Sequence, residues 1–399
     1  RSTLFPYTTL FRSEPLCLMS IFNGTRKIII GGIHQADEFE NCRHAFIVCD
    51  PFLKESNATT YLTEKLEELG VEYTVYSDVM PDPDIDLIIR GIESVAEVRP
   101  DVMVGFGGGS AIDACKAMMF FAKKKGIIDR CRLIAIPTTS GTGSEVTDFS
   151  VITDKEKSTK YPLVDPTLMP GVAVLDAELT LTVPKKITAA TGMDALTHAI
   201  EAIVSKEAED FSDAMAEKAI KLIRSNLLKV YGNPDDIEAR QAMHNASCLA
   251  GAAFNNAGLG LNHGMAHALG ANFHMPHGMA NAVLLPYVMG YNAGCFDSLT
   301  ECAGSYARIA RLICVDSGSI RQSALNLIRS VKKFNGRLNM PSCIEEAGIK
   351  KEDFKAVLDD MAKAAAADRC TRTNPRSCTV DDIKKLYVHA YFGTAGRTL

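Results

Sequence analysis

VMVGFGGGSAIDACKAMMFFAK, residues 102–123, decides the fold. Val102–Phe106 reads as a short buried strand. The run Gly105-Phe-Gly-Gly-Gly-Ser110 breaks it, and Ala111–Lys123 continues with the apolar spacing of a helix. A strand that turns through glycine straight into a helix belongs to a parallel sheet covered by helices, with ligands at the C-terminal strand ends. The glycines admit two readings. They make a tight strand-to-helix turn, or they let backbone N–H groups approach a pyrophosphate at the helix N-terminus. The spacing is not G-x-G-x-x-G, so the motif alone leaves both open.

Working outward, the same alternation recurs. KIIIGG (27–32), AFIVCD (45–50), VEYTVYSD (71–78), RLIAIPTT (132–139) and VAVLDAEL (172–179) read as further strands of one sheet. TTYLTEKLEELG (59–70) and DLIIRGIESVAEVR (86–99) read as the helices between them. After Pro184 the texture changes, and nearly everything to the C-terminus reads as helix. The stretch Asp213–Tyr231 is amphipathic, with Met215, Ala219, Leu222, Ile223 and Val230 on one face. The expected architecture is an α/β N-terminal dinucleotide-binding domain with a parallel sheet, residues 19–186, followed by an all-α C-terminal metal-binding domain, residues 187–399. At 399 residues two domains are the natural expectation. Arg1–Ser13 has neither helical nor strand period and resembles the conceptual translation of a DNA-sequencing adapter. Residues 1–18 are therefore expected to be a non-native leader, with the start at Met19.

Composition excludes several classes. The net charge is −5 with mixed signs, which gives no footprint for nucleic acid and no polybasic stretch for a membrane surface. The longest apolar runs are too short to span a bilayer. Twelve cysteines are scattered without a C-x-x-C, so a thiolate zinc site and a disulfide scaffold are both disfavoured, and a reducing cytoplasm is expected.

A second donor-rich loop, Pro137-Thr-Thr-Ser-Gly-Thr-Gly-Ser-Glu145, follows the strand Leu133–Ile136. With Gly107, Gly108, Gly109 and Ser110 it suggests one extended anionic ligand across the sheet edge, touching Thr138, Thr139, Thr142 and Ser144. Asp50 is placed to accept from a ribose 2′-OH, where a 2′-phosphate would meet like charge, so NAD(H) is favoured over NADP. It serves equally well as a cap on the following turn. Lys160 meets the cofactor or is solvated, and Glu145 reads as structural.

In the helical half, GMDALTHAIEA places Asp194 and His198 at i and i+4 on one helical face. GLNHGMAHALGANFHMPHG then puts His263, His267, His274 and His277 in one short segment, four of the nine histidines in the chain. An aspartate with imidazoles suits Fe(II) or Zn(II) and is poor for Mg(II) or Ca(II).

GGGSAID, PTTSGTGSEVT, GMDALTHAIEA, GLNHGMAHALG with PHG, and TNPR at Thr373–Arg376 together resemble the iron-dependent alcohol dehydrogenase family, from Ile21 to the C-terminus. CDPFL at Cys49, KYPL at Lys160 and MHNASCLAG at Met243 are closer to its branch of 1-propanol dehydrogenases from bacterial microcompartments. Asp82 stands where many members carry Asn. The resemblance implies that Asp194, His198, His263 and His277 hold the metal, Fe(II) or alternatively Zn(II). It also puts His267 near the nicotinamide as a proton relay, against the plainer reading of a hydrogen-bonded helix residue. His274 falls outside the ligand pattern, as pocket lining or a support for the ligands. Phe254 and Cys370 line the substrate pocket or pack the core.

The expected activity is NAD(H)-dependent interconversion of short-chain aldehydes and primary alcohols, propionaldehyde to 1-propanol foremost. Butanol, 1,3-propanediol and lactaldehyde are the alternatives, and a glycerol dehydrogenase with a more polar pocket is a near one. A homodimer or larger homo-oligomer is implied, in the cytoplasm or inside a microcompartment with shell or cargo proteins. Two readings from other classes are a dehydroquinate synthase-like lyase and a non-enzymatic metal-binding cargo protein. The lyase needs a basic cluster that the segment around His263 lacks, and the cargo protein would not require the donor-rich loops.

Overall fold

The structure, a computed structural model, describes residues 21–32, 38–56, 58–155 and 159–393, without the side chains of Thr159 and Lys160. The expected leader and the proposed start at Met19 lie outside the described residues, as does the side chain of Lys160.

The N-terminal half runs β1 (Lys27–Ile30), β2 (His44–Val48), α1 (Pro51–Glu55), α2 (Thr60–Glu68), β3 (Glu72–Tyr76), α3 (Ile85–Val98), β4 (Val102–Gly107), α4 (Gly109–Lys124), β5 (Arg132–Pro137), β6 (Phe149–Asp154), β7 (Thr159–Val164) and β8 (Val172–Leu175). Six strands form one sheet in the order β1-β8-β5-β4-β2-β3, every pair parallel. Every residue of β2 and β4 is buried. Helices cover both faces of the sheet, which is why these strands read as unbroken apolar runs. β1 lies at an edge and leaves Ile28 and Ile30 exposed.

The strand order positions the two glycine-rich loops. The chain steps from β2 outward to β3, then crosses back to lay β4 on the other side of β2. A crevice opens where that direction reverses, outside the C-terminal strand ends. Asp50 follows β2 there, and Gly107 ends β4 there.

The antiparallel hairpin β6–β7 is absent from the sequence-based expectation. Its first strand alternates partly buried and buried positions and carries Ser150, Thr153 and Asp154, so no continuous apolar run marks it. Thr153 N–H donates to Pro83 O at 2.8 Å, which ties the hairpin to the turn before α3.

The helical half comprises α5 (Lys185–Val204), α6 (Asp210–Gly232), α7 (Ile237–Ala257), α8 (Leu261–Phe273), α9 (His277–Asn292), α10 (Ala303–Leu312), α11 (Ile320–Arg337), α12 (Lys351–Ala367) and α13 (Val380–Phe392). No helix among the described residues is long and apolar enough to cross a membrane. α5 is buried at every residue from Gly192 to Val204, so it is a central helix wrapped by α6, α7 and α9. On α6 the buried stripe is Ala216, Ala219, Ile220, Ile223, Leu227 and Val230, with Met215 and Leu222 at its margins.

The TNPR segment acts as a clamp. Asn374 Oδ1 accepts from Leu261 N–H at 3.0 Å at the start of α8 and from Asn292 Nδ2 at 3.0 Å at the end of α9. Arg376 donates to Tyr291 O at 2.6 Å and pairs with Asp297 at 2.8 Å. One buried carboxamide thus satisfies a backbone N–H at a helix terminus that burial would otherwise leave unpaired.

Candidate metal centre and cofactor crevice

Asp194 and His198, one turn apart on α5, meet His263 near the start of α8 and His277 at the first residue of α9. One donor atom from each lies within 4.8 Å of the other three. Asp194 Oδ1 is 4.0 Å from His198 Nε2, 3.8 Å from His263 Nε2 and 3.4 Å from His277 Nε2. Asp194, His198 and His263 are buried, whereas the His277 side chain is 42 % exposed. The group is therefore closed on the protein side and open on one side.

Burial pushes the Asp194 carboxyl up and the His198 imidazole down to about 3, and holds His263 far below its ordinary value. The His198 and His263 imidazoles are thus neutral near pH 7 and present lone pairs, while no lysine or arginine pairs with Asp194 among the described residues. The Asn281 Nδ2 amide lies 2.7 Å from Asp194 Oδ1 and 3.1 Å from both His263 Nε2 and His277 Nε2, two hydrogens facing three acceptors. One neutral amide is a weak partner for a buried carboxylate, so this donor set fits a divalent cation.

Two supporting residues escaped the sequence reading. Glu201 lies three residues beyond His198, at i+7 from Asp194 on the same helical face. It hydrogen-bonds His263 Nδ1 and accepts from Asn262 N–H at 2.8 Å. With Nδ1–H given to Glu201, His263 keeps its Nε2 lone pair toward the group, the usual arrangement behind a metal-binding histidine. Burial pushes the Glu201 carboxyl up to about 8. Asn281 sits one turn after His277 and is fixed by Asn262 Nδ2 at 3.0 Å. The i, i+4, i+7 spacing was the available signal for Glu201, and i+4 from His277 the one for Asn281.

His267, one turn after His263, stacks on the His277 ring at 5.4 Å and 18° and meets His263 edge-on at 6.0 Å. Its Nδ1 lies 2.9 Å from Asp368 Oδ2. Burial opposes ionisation of Asp368, but the His267 hydrogen bond and charge outweigh it, so the carboxyl lies below its usual range. Phe254 stacks on His198 at 4.4 Å, packed among core residues. Cys370 N–H donates to Asp368 Oδ1 at 2.8 Å, which brings Cys370 to the same corner.

His274 departs from its expected place. It is exposed and ends α8 in the left-handed conformation, with φ 51°, and no hydrogen bond or ring contact joins it to the group among the described residues. Its role is to turn the chain from α8 into α9.

In the crevice, Gly108 caps α4 without a side-chain hydrogen bond, so first-turn N–H groups are left for a ligand. The second loop folds onto the first: Thr138 N–H donates to Gly107 O at 3.0 Å, and the Thr139 hydroxyl lies over Gly108. A Cβ on Gly109 would come within 2.8 Å of Thr142 Cγ2, so that glycine is required by the contact between the loops. Ser110 opens α4 beside them. Asp50 divides its carboxylate: Oδ1 accepts from Leu53 N–H at 3.0 Å as the cap of α1, and Oδ2 faces Gly107.

Ser144 is a correction to the expected cofactor contacts. It is buried and gives its hydroxyl to Asp113 Oδ1 at 2.6 Å, so it points into the protein and away from the crevice. Beneath it lies a polar knot. Lys116 Nζ donates to Thr147 O at 2.8 Å and Phe149 O at 2.9 Å. Burial pushes the Glu145 carboxyl up to about 7 and the Lys116 amine down to about 8.

The same loop touches the helical half. Ser140 Oγ bonds His244 Nδ1 at 2.9 Å, and His244 Nε2 bonds Pro137 O at 3.1 Å. Gly143, with φ 65°, lies against Gly251 of α7, where a Cβ would be 2.6 Å from the Gly251 Cα. The loop that faces the crevice is thus wedged between the sheet and α7.

Comparison with known proteins agrees with this arrangement along the chain. The description "Iron-containing alcohol dehydrogenase" matches residues 27–177, and "Fe-containing alcohol dehydrogenase family, C-terminal" matches residues 188–391. The chain is 44 % identical over 359 residues to the 1-propanol dehydrogenase PduQ of Salmonella typhimurium, covering 89 % of this chain and 95 % of that one. It is 43 % identical to an NADPH-dependent butanol dehydrogenase of Clostridium saccharobutylicum, covering 82 % and 86 %. The fold superposes on the crystal structure of a 1,3-propanediol oxidoreductase with a TM-score of 0.87 at 32 % identity, covering 94 % and 100 %. The chain belongs to the iron-containing alcohol dehydrogenase family and is an iron-type alcohol dehydrogenase.

Proposed function

We propose that the chain reduces a short-chain aldehyde to its primary alcohol with NADH, propionaldehyde to 1-propanol being the favoured pair, and runs the reverse oxidation with NAD+. The observation that carries this reading is the half-open group of Asp194, His198, His263 and His277, with His267 stacked on its exposed side. The likeness to the 1-propanol dehydrogenase favours propionaldehyde, and the butanol and propanediol relatives mark the nearest alternatives.

Asp194, His198, His263 and His277 would hold Fe(II), with Zn(II) as competitor; when bound, the metal supplies Lewis acidity to the substrate oxygen. Glu201 and Asn281 keep the His263 and His277 imidazoles in register. The first-turn N–H groups of α4 and the Thr138–Thr142 loop would hold the pyrophosphate of the dinucleotide. When bound, the nicotinamide would supply the hydride for the carbonyl carbon, and the oxygen would take one proton. Asp368 accepts from Nδ1–H of His267, which leaves Nε2 free to pass that proton between the oxygen and solvent. The second oxygen of Asp50 faces Gly107 and would repel a 2′-phosphate, which favours NADH. Association into a homodimer belongs to the same reading, with the exposed edge strand β1 as one available surface.

The test is anaerobic protein loaded with Fe(II) and assayed for NADH oxidation with acetaldehyde, propionaldehyde, butyraldehyde and lactaldehyde. Highest kcat/KM is expected with propionaldehyde. No oxidation with any of the four would overturn the reading.

A further inference from the structure

Beside the main group, a second set of side chains converges. One ligand atom each from His267, Asp368 and Cys370 lies within 4.8 Å of the other two. We propose that these three form a separate cation site that takes a thiophilic divalent ion, Zn(II) above all, and that filling it switches the enzyme off.

The set is built rather than accidental. Asp368 and Cys370 are two residues apart on one tight turn, and Cys370 N–H binds Asp368 Oδ1 at 2.8 Å. Thr371 Oγ1 donates to Ala365 O at 2.7 Å and Thr373 Oγ1 to Leu259 O at 2.6 Å, so the turn is anchored to both α12 and the start of α8. His267 reaches it from α8, its Nδ1 already 2.9 Å from Asp368 Oδ2. Side chains locked by their own hydrogen bonds lose little freedom on taking up an ion.

The chemistry separates the two sites. The main group offers nitrogen and oxygen only, whereas this one adds sulfur, which favours zinc over iron. Three protein ligands leave a fourth position for water, and the His267 side chain is 41 % exposed, so solvent reaches it. Burial holds the Cys370 thiol protonated at rest. With three protein ligands against four, and a thiol that must give up its proton to the ion, this is the weaker site, filled second. Its effect follows from the proposed function, on which this one step rests: an ion held by His267 removes the group that hands the proton to the substrate oxygen.

Sulfur makes the site visible independently of turnover. Anaerobic protein titrated with Co(II) is expected to develop a thiolate-to-metal charge-transfer band at the second equivalent. The band should vanish in Cys370→Ser, weaken at least tenfold in apparent affinity in His267→Gln, and persist in Cys314→Ser, which removes an exposed cysteine elsewhere. It should also persist in His198→Ala, whose main group is broken. No thiolate band, or a band that survives Cys370→Ser, overturns the site whether or not any aldehyde is reduced. Zn(II) added to the Fe(II) enzyme should inhibit the wild type and spare the residual activity of Cys370→Ser. A band without such inhibition overturns the switch.

Discussion

The metal-binding half and the cofactor crevice solve different problems with different parts of the chain. The candidate metal group is made of side chains on the central helix and on two helix starts, with Asp194, His263 and His277 oriented by the buried partners Glu201 and Asn281. The crevice is made of backbone: uncapped N–H groups at the start of α4, and a second loop pressed so close that side chains are excluded at Gly109 and Gly143. A site of side chains fails by losing a ligand. A site of backbone fails by losing a shape.

The largest effect tests the first half. His263→Ala should lose bound metal and cut kcat/KM by about 10³-fold or more, since the Lewis acid supplies several kcal/mol. Full metal content measured by emission spectroscopy would remove His263 from the ligand set. The matching test of the crevice is Gly143→Ala. A methyl 2.6 Å from the Gly251 Cα, at φ 65°, should cost about 2–4 kcal/mol in denaturant unfolding and raise the KM for NADH. An unchanged midpoint would show that the loop yields freely, and the contrast would collapse.

Glu201→Gln sharpens the comparison by keeping shape while putting an N–H donor in place of one of the two oxygens that meet Asn262 N–H and His263 Nδ1. Metal affinity should fall about 10–100-fold by competition with a chelator, with the KM for NADH unmoved. Asp50→Ser is its counterpart in the crevice, because serine still caps α1 while the charge is gone. The NADPH-to-NADH ratio of kcat/KM should rise about tenfold, a shift of about 1.4 kcal/mol. No change in that ratio would leave Asp50 as a cap alone.

The smallest effect lies at the join between the two halves. Burial lowers the His244 imidazole from 6.5 to about 4. Between those values the unfolded chain binds a proton that folded His244 refuses, so stability falls as pH drops through the window and is fully present above it. In His244→Asn the stability curve should be flatter from pH 6.5 to 4 than in the wild type, and parallel curves would contradict the neutral, doubly hydrogen-bonded imidazole.

The halves also differ in how much the sequence discloses. Asp194 and His198 at helical spacing, with histidines crowded from 263 to 277, announce a convergence that the fold then brings about, because side-chain chemistry is written in residue identity. Glu201 was legible by the same periodicity and was missed because a lone buried carboxylate looks like a surface charge until its partner is known. The second loop was misjudged at its end. Its glycines and hydroxyls look like one ligand cradle, yet Ser144 turns inward to Asp113 and Gly143 serves the packing on α7. Which way a loop residue faces depends on elements far along the chain, and no local pattern carries that. The hairpin β6–β7 stayed hidden for a related reason, since its half-polar strands are defined by what they cover.

The contact of Gly143 with Gly251 has a mechanical meaning. Two backbones meeting without side chains between them form a hard end-stop. At that point the crevice loop and α7 can approach no further than their own main chains allow. The spacing between the crevice loop and the helical half is thereby gauged by two α-carbons, with no side-chain rotamer to vary it.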